Sequence, residues 1–153
     1  MDPLSHEDAL RLLTDAPVAH IGLIANGRPY VTPMSFVVDE DKILFRTTPG
    51  KKLDALRQDP RVCIEASKFD PESGEWASVI VTGTAMEVDD GDVGQRAVEK
   101  LFEKYAEALG DPRSRGGLQP FPGLPYVIEV AIEEISGMAS GSGFAPRTRP
   151  GRL

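Results

Sequence analysis

The dipeptide Asn26-Gly27 separates two apolar runs and constrains the fold more than any other short segment of this chain. Asn-Gly is the strongest short sequence signal for a β-hairpin, because both residues tolerate the positive φ that a two-residue turn needs. The flanking runs, VAHIGLIA and RPYVTPMSFVV, therefore predict two antiparallel strands. Four further runs separated by turn residues bring the predicted total to six strands: ILFRT, RVCIEAS, WASVIVTGTAMEV and PYVIEVAIEEIS. Gly83 in the fifth strand predicts a bulge or a sharp bend.

Three other segments carry helical patterns. Ser5 resembles an N-cap ahead of an apolar face, and Leu53 and Leu56 mark one side of a short second helix. From Asp92 onward apolar residues recur every four positions, which predicts a third helix with one apolar stripe. Hairpin-connected strands with helices after the third and fifth predict a mainly β (α+β) protein, built as a small six-stranded antiparallel barrel.

The fifth predicted strand is apolar on both of its faces. Trp76, Ile80 and Met86 share one face, whereas Val79 and Val81 share the other. One face can fill the barrel, but two modest helices leave the other without a cover. We therefore expect a second copy of the chain to cover it in a homodimer.

Composition excludes several classes of protein. The 153 residues carry 24 acidic and 17 basic side chains, a net charge of −7 that does not suit a nucleic-acid partner. Cys63 is the only cysteine and the chain has two histidines, so neither a disulfide nor a Cys- or His-rich metal site is expected. No apolar run reaches the roughly 18 residues of a membrane span. The N-terminal MDPLSHEDAL is acidic where a signal peptide is basic, and we expect a cytoplasmic protein.

The segment RTTPGKKLDAL, residues 46–56, places two lysines where a helix begins. A helix N-terminus carries a partial positive charge, so cations there are mildly unfavourable. Thr48 suits the N-cap position, and Gly50 lets a ligand approach the backbone closely. The free amides of the first turn, together with Lys51 and Lys52, could hold a phosphate. The alternative is an ordinary strand-to-helix turn with solvated lysines.

The order of these pieces resembles the pyridoxamine 5′-phosphate oxidase-like family of FMN-binding split β-barrels. The resemblance covers roughly residues 5–136 and rests on the Asn-Gly hairpin, the Phe-Arg-Thr-Thr strand end, the Lys-Lys helix start, the Asp-Pro-Arg-Val strand start and the Ser-Val-Ile-Val-x-Gly strand. It implies a split-barrel homodimer with two FMN sites at the subunit interface. The chain has no histidine matching the Arg-x-His substrate motif of the vitamin B6 oxidases. It is more similar to small relatives such as the nitroimidazole-resistance-like and deazaflavin-dependent reductases.

The resemblance also implies ten cofactor-binding residues. These are Pro33, Met34 and Ser35 along the flavin ring, Arg46, Thr47 and Thr48 at ring and phosphate, Lys51 and Lys52 at the phosphate, and Trp76 and Ser78 from the partner subunit.

No set of side chains with catalytic spacing stands out, which is compatible with a flavin enzyme because the cofactor carries the hard chemistry. We expect an FMN-dependent oxidoreductase that transfers hydride between a nicotinamide cofactor and an unidentified small molecule. The alternatives are a non-enzymatic flavin-binding protein and a haem- or deazaflavin-binding relative. His20 is expected to be a buried core histidine rather than a haem ligand. Residues 1–137 should form the flavin-binding domain, and 138–153 an extended basic tail that is either solvated or folded over the cofactor.

Overall fold

The computed structural model describes residues 1–88, 91–109 and 126–141. Its elements in chain order are β1 (Asp2–Pro3), α1 (His6–Asp15), β2 (Ala19–Ala25), β3 (Arg28–Met34), β4 (Val37–Asp39), β5 (Lys42–Thr47), α2 (Lys51–Gln58), β6 (Arg61–Phe69), β7 (Trp76–Val88), α3 (Asp92–Leu109) and β8 (Tyr126–Ala139).

The strands form one antiparallel sheet in the order β3-β2-β6-β7-β8-β5-β4, with the short β1 paired to the far end of β8. The predicted mainly β fold with flanking helices is confirmed. The described strands number eight rather than six, because β1 was not predicted and the second predicted strand is interrupted at Ser35 and Phe36. Those two residues join the outermost strands, β3 and β4. Three Cα–Cα steps of about 3.8 Å span the connection, so the open sheet must curl until its two ends approach each other across a split.

Local chemistry explains the sharpest features of the sheet. Asn26 and Gly27 have φ values of 53° and 73°, and they close the predicted hairpin between Ala25 and Arg28. The β7–β8 register shifts between Thr82 and Gly83, which confirms the predicted bulge. A Cβ atom at Gly83 would lie 2.2 Å from the carbonyl oxygen of Ala131, so only glycine fits there.

The core lies on the inner face of the curled sheet. Phe36, Phe45, Val79 and Val81 are fully buried there, and α1 covers one side of them with Leu13 and its neighbours. The predicted N-cap of α1 is confirmed, since the Ser5 hydroxyl accepts a hydrogen bond of 3.1 Å from the amide of the third helical residue.

The side chain of Tyr105 connects helix α3 to the split. The buried Tyr105 hydroxyl accepts a hydrogen bond of 2.9 Å from the Phe36 amide and donates one of 2.8 Å to the Pro17 carbonyl. This explains why the strand breaks at Phe36, whose amide bonds to a helix side chain. Tyr105 belongs to the predicted stripe of α3, but Val93 at the start of that stripe is 53% exposed.

The outer face of the sheet remains apolar and exposed in the described chain. Val31 is 65% exposed, Ile80 48% and Met86 59%, whereas Val79 and Val81 on the opposite face are buried. The predicted division of the fifth strand into a core face and an uncovered face is therefore present.

Two regions qualify the sequence-based expectations. Strand β8 runs through Ala139, so the first two residues of the predicted tail still pair within the sheet. Residues 142–153, with the tail arginines, lie outside the described residues. Within the described part of the chain, no helix is long and apolar enough to cross a membrane.

Candidate functional site

Helix α2 begins without a side-chain cap. Its N-cap residue is Gly50, with φ 158° and ψ −165°, a region that is essentially restricted to glycine. Thr48 was predicted to fill this position, but that prediction is wrong because the chain needs two more residues to reverse after β5. The buried face of Leu53 and Leu56 anchors the helix to the core. The first-turn amides therefore lack a side-chain acceptor and remain suited to an anion.

The two lysines at the start of α2 reach towards different strands. The Lys51 ammonium lies 4.3 Å from the centre of the Tyr30 ring on β3. The Lys52 ammonium lies 5.7 Å from the centre of the Phe45 ring on β5 and is half-buried. Burial lowers the pKa of Lys52, because leaving water disfavours the charged form. The side chains therefore diverge and do not form one clamp.

The split brings the first two groups of predicted site residues to the same end of the sheet. Val37 on β4 pairs with Leu44 on β5 in an antiparallel register. Ser35 and Arg46 are each two residues beyond that pair, so they lie on neighbouring segments at the same end of the sheet. The Lys51–Tyr30 contact confirms that the start of α2 lies against β3.

Burial divides the side chains of these groups. Pro33, Ser35 and Thr48 are exposed, whereas Met34 and Thr47 are buried. The buried pair can therefore face a ligand only through the backbone.

Trp76 and Ser78 lie away from this cluster. Both residues are on the outer face of β7, on the same side as Ile80. The strand pairings place Ile80 level with Pro33 across β6 and β2, so Trp76 and Ser78 are level with neither Ile80 nor Pro33. Three strand spacings of about 4.8 Å separate β7 from β3, roughly 14 Å. The structure does not bring these residues together with Pro33 within one chain, so their role as contacts from a partner subunit stays a prediction.

The outer face also carries His20, whose predicted burial is wrong. Strand β2 turns Ala19 and Ile21 inward, and the side chain of His20 is 50% exposed. Its Nδ1 lies 3.4 Å from a carboxylate oxygen of Glu65 on the neighbouring strand. Cys63 is on the same face and is exposed as well. Among the described residues, no group of three or more potential metal ligands is assembled.

A cleft of about 540 Å³ runs between the hairpin turn and α2. Its polar side chains are Asn26, Lys51, Asp54, Arg57 and Gln58, with Ala25 and Ala55 as apolar parts of the wall. The Arg57 guanidinium is bound to Glu87 at 2.8 Å, so a carboxylate already balances its charge. The sequence analysis did not predict this cleft, and it did not include Tyr30 among the site residues. The signal was available, because Tyr30 is four residues before Met34 on one strand and therefore shares its face.

A second cleft, of about 510 Å³, has the opposite electrostatic character. Glu40, Asp41, Glu133 and Glu134 contribute to its wall, beside His6 of α1. Four carboxylates repel phosphate, so this cleft does not suit the ligand that the start of α2 would take.

The curled open sheet, its split and the uncapped helix start define a split-barrel protein with a site suited to a phosphate. A sequence model described as pyridoxamine 5′-phosphate oxidase matches residues 5–139, and the chain belongs to this family.

Solved structures and one relative agree with that assignment. A FAD-binding protein from Mesorhizobium loti is 22% identical, with a TM-score of 0.72 and coverage of 92% of this chain and 97% of that one. The FAD-binding protein from Mycobacterium smegmatis is 26% identical, with a TM-score of 0.63 and coverage of 91% and 98%. A candidate 5-nitroimidazole antibiotic resistance protein from Bacteroides thetaiotaomicron has a TM-score of 0.68 at 18% identity, covering 89% and 85%. An uncharacterised protein from Rhizobium meliloti is 25% identical over 148 residues, 92% of this chain and 95% of that protein.

Proposed function

We propose that this chain binds a flavin with its phosphate at the start of α2, and that it is a flavin-dependent oxidoreductase. The observation that carries the proposal is the half-buried Lys52 beside an uncapped first helical turn. A phosphate would satisfy the free amides and restore favourable surroundings for the lysine charge. Family membership supports a flavin, and so does the 26% identical Mycobacterium smegmatis relative, which is described as FAD-binding.

The residues around the split have distinct roles in this proposal. Lys52 and the first-turn amides hold the phosphate, and the exposed Thr48 hydroxyl is available to it. Pro33 and Ser35 present the exposed end of β3 to the flavin ring. The buried Met34 fixes that strand end from the core side, so that the ring would rest on a rigid backbone.

When bound, the flavin supplies hydride chemistry between a nicotinamide cofactor and a small-molecule acceptor. The chain contributes positioning and electrostatics to this reaction. FMN, which carries one phosphate, is the minimal cofactor that meets these requirements.

We further propose a homodimer formed through the outer face of the sheet. Exposed Val31, Ile80 and Met86 would be buried there, and Trp76 and Ser78 of each copy would be carried towards the flavin of the other. Sedimentation should give a dimer mass at micromolar concentration. Ile80→Lys should shift the mass towards the monomer, whereas Val93→Lys, on the exposed side of α3, should not. A monomeric wild type would contradict the dimer and the shared site.

Titration of the purified protein with FMN and riboflavin tests the flavin site. Lys52→Gln should weaken FMN binding about 10–100-fold, the equivalent of one or two charge-assisted hydrogen bonds, and should leave riboflavin unchanged. Lys68→Gln, which removes an exposed lysine from β6, is the matched control and should bind FMN like the wild type. Equal FMN affinity in the Lys52 variant would mean that this lysine holds no phosphate.

Turnover separates an enzyme from a flavin carrier. Oxidation of a reduced nicotinamide with an artificial electron acceptor is expected for the flavin-loaded protein. A loaded protein without turnover would support the non-enzymatic alternative, and a Soret band in place of a flavin spectrum would support haem binding.

A further inference from the structure

We infer that His20 donates a proton to the acceptor that is reduced at the proposed flavin site, and that Glu65 holds the His20 ring in position for this transfer. The inference rests on the proposed flavin site and extends it to the class of acceptor. An acceptor that uses such a donor gains a proton together with a hydride, as a quinone or another carbonyl compound does. Neither His20 nor Glu65 belongs to the ten cofactor contacts that the family resemblance implies.

The position of His20 on β2 is the first argument. His20 is directly opposite Pro33 in the β2–β3 hairpin, so the two side chains share the outer face of the sheet. Side chains paired in this way have Cβ atoms about 4.5–5.5 Å apart. Pro33 is exposed, and it is the proposed support for the flavin ring. An imidazole at this distance borders a flat ring that rests on Pro33.

The contact between His20 and Glu65 is the second argument. On the other side of β2, His20 is level with Glu65 of β6, and its Nδ1 lies 3.4 Å from a carboxylate oxygen. An Nδ1 beside a carboxylate carries a hydrogen, and the contact fixes both the tautomer and the direction of the ring. Nε2 is at the opposite edge of the imidazole from this contact. Glu65 therefore turns Nε2 away from β6 and towards the side of Pro33.

The exposure of the pair is the third argument. The side chains of His20 and Glu65 are 50% and 37% exposed, so a ligand on the outer face can reach both of them. The core does not depend on His20, because Ala19 and Ile21 on either side of it supply the buried contacts of this part of β2. A polar pair that contributes little to the core and borders a proposed ligand is available for chemistry.

The reduction balances with one proton from His20. When bound, the reduced flavin supplies a hydride, which is a hydrogen with its electron pair, and the nicotinamide cofactor is the source of those electrons. The bond between Nε2 and its hydrogen breaks while that hydrogen forms a bond to the acceptor oxygen. The acceptor thus gains two electrons and two hydrogens, and the neutral imidazole regains a proton from water. His20 acts as a general acid in this step, and Glu65 is a positioning residue.

Reoxidation of the reduced, protein-bound flavin tests the role of His20. The protein is loaded with FMN, reduced with dithionite in the absence of oxygen and mixed with one of two acceptors in a stopped-flow instrument. With a naphthoquinone, which takes up a proton, His20→Gln should slow reoxidation at least about 10-fold; a general acid contributes roughly 100-fold or more, of which water replaces a part. With ferricyanide, which takes single electrons and no proton, His20→Gln should match the wild type.

The second histidine of the sequence provides the matched control. His6 is exposed at the start of α1, and His6→Gln should match the wild type with both acceptors. Glu65→Gln should slow the quinone reaction by about two- to fivefold, the value of an exposed ion pair, and leave the ferricyanide reaction unchanged. The double variant of His20 and Glu65 should be no slower than His20→Gln alone, because Glu65 acts through His20.

Chemical modification gives a readout that does not depend on turnover. Diethyl pyrocarbonate acylates accessible histidines, and mass spectrometry of the digested protein reports His20 and His6 separately. In the presence of saturating FMN, His20 should lose most of its modification, whereas the modification of His6 should not change. This comparison locates the flavin ring relative to His20 in the wild-type protein.

The outcomes distinguish this inference from the proposal beneath it. A His20→Gln variant that reacts with the quinone as fast as the wild type overturns the inference and leaves the flavin site intact. Equal slowing with both acceptors overturns it too, because His20 would then support the fold or the flavin rather than proton transfer. FMN that binds without protecting His20 from modification lies elsewhere and also overturns it. A protein that binds no flavin overturns both proposals.

Discussion

Removing the Tyr105 hydroxyl is the most direct test of how the split is held together. In Tyr105→Phe, the Phe36 amide loses its hydrogen bond to α3, and the Pro17 carbonyl loses its donor. A buried amide left without a partner costs about 1–3 kcal/mol. Pro17 is exposed and its carbonyl can turn to water, so it adds at most about 1 kcal/mol. We expect a total loss of about 2–3 kcal/mol, because the ring itself still fills its place in the core.

Urea unfolding at constant pH measures this loss as a lower midpoint with an unchanged slope. For a chain of this size the melting temperature should fall by about 5–10 °C. Tyr30→Phe removes the same hydroxyl from a residue that contacts Lys51 through its ring, and it should cost less than about 0.5 kcal/mol. A Tyr105→Phe protein as stable as the Tyr30 control would refute the idea that the Tyr105 hydroxyl helps to hold the split together.

Two further predictions concern stability away from the ligand. Gly83→Ala should destabilise the protein by more than about 2 kcal/mol in urea unfolding, because the new Cβ would meet the Ala131 carbonyl at 2.2 Å, whereas Gly91→Ala meets nothing within 4 Å and should be nearly neutral. Lys104 lies 3.7 Å from the centre of the Phe36 ring, and burial lowers its pKa from 10.5 to about 8. Below pH 8 the native state carries the cost of a charged, partly buried amine, and the free energy of unfolding therefore rises between pH 8 and 10.5 as that amine loses its proton. Lys104→Met should raise the free energy of unfolding at pH 7 by about 1–2 kcal/mol, after allowance for solvent screening, and should flatten its rise with pH in urea unfolding.

The parts of the fold that depend on neighbouring residues could be predicted from the sequence. The Asn26-Gly27 hairpin, the bulge at Gly83 and the Ser5 cap each follow from short-range chemistry, and all three are present. The interruption at Phe36 could not be predicted, because its cause is the hydroxyl of Tyr105 in a helix far along the chain.

The candidate site shows a second kind of limit. Lys51 and Lys52 are adjacent in sequence, and this suggested a common target. On a helix, however, consecutive side chains point in different directions, so the two lysines reach different neighbours. The misplacement of His20 has a related cause, since an apolar run without clear alternation does not reveal which residues turn inward.

The position of β8 in the sheet governs when this chain can complete its fold. β8 pairs with β7, β5 and β1, including the contact of Asp2 with Ala139, yet it is the last strand of the described chain to be synthesised. A nascent chain that has produced the first seven strands still exposes the unpaired edges of β5 and β7. Pairings between such distant segments are slow to form, and exposed edges invite aggregation. Closure of the sheet is therefore a late event that follows the emergence of residues 126–139 from the ribosome.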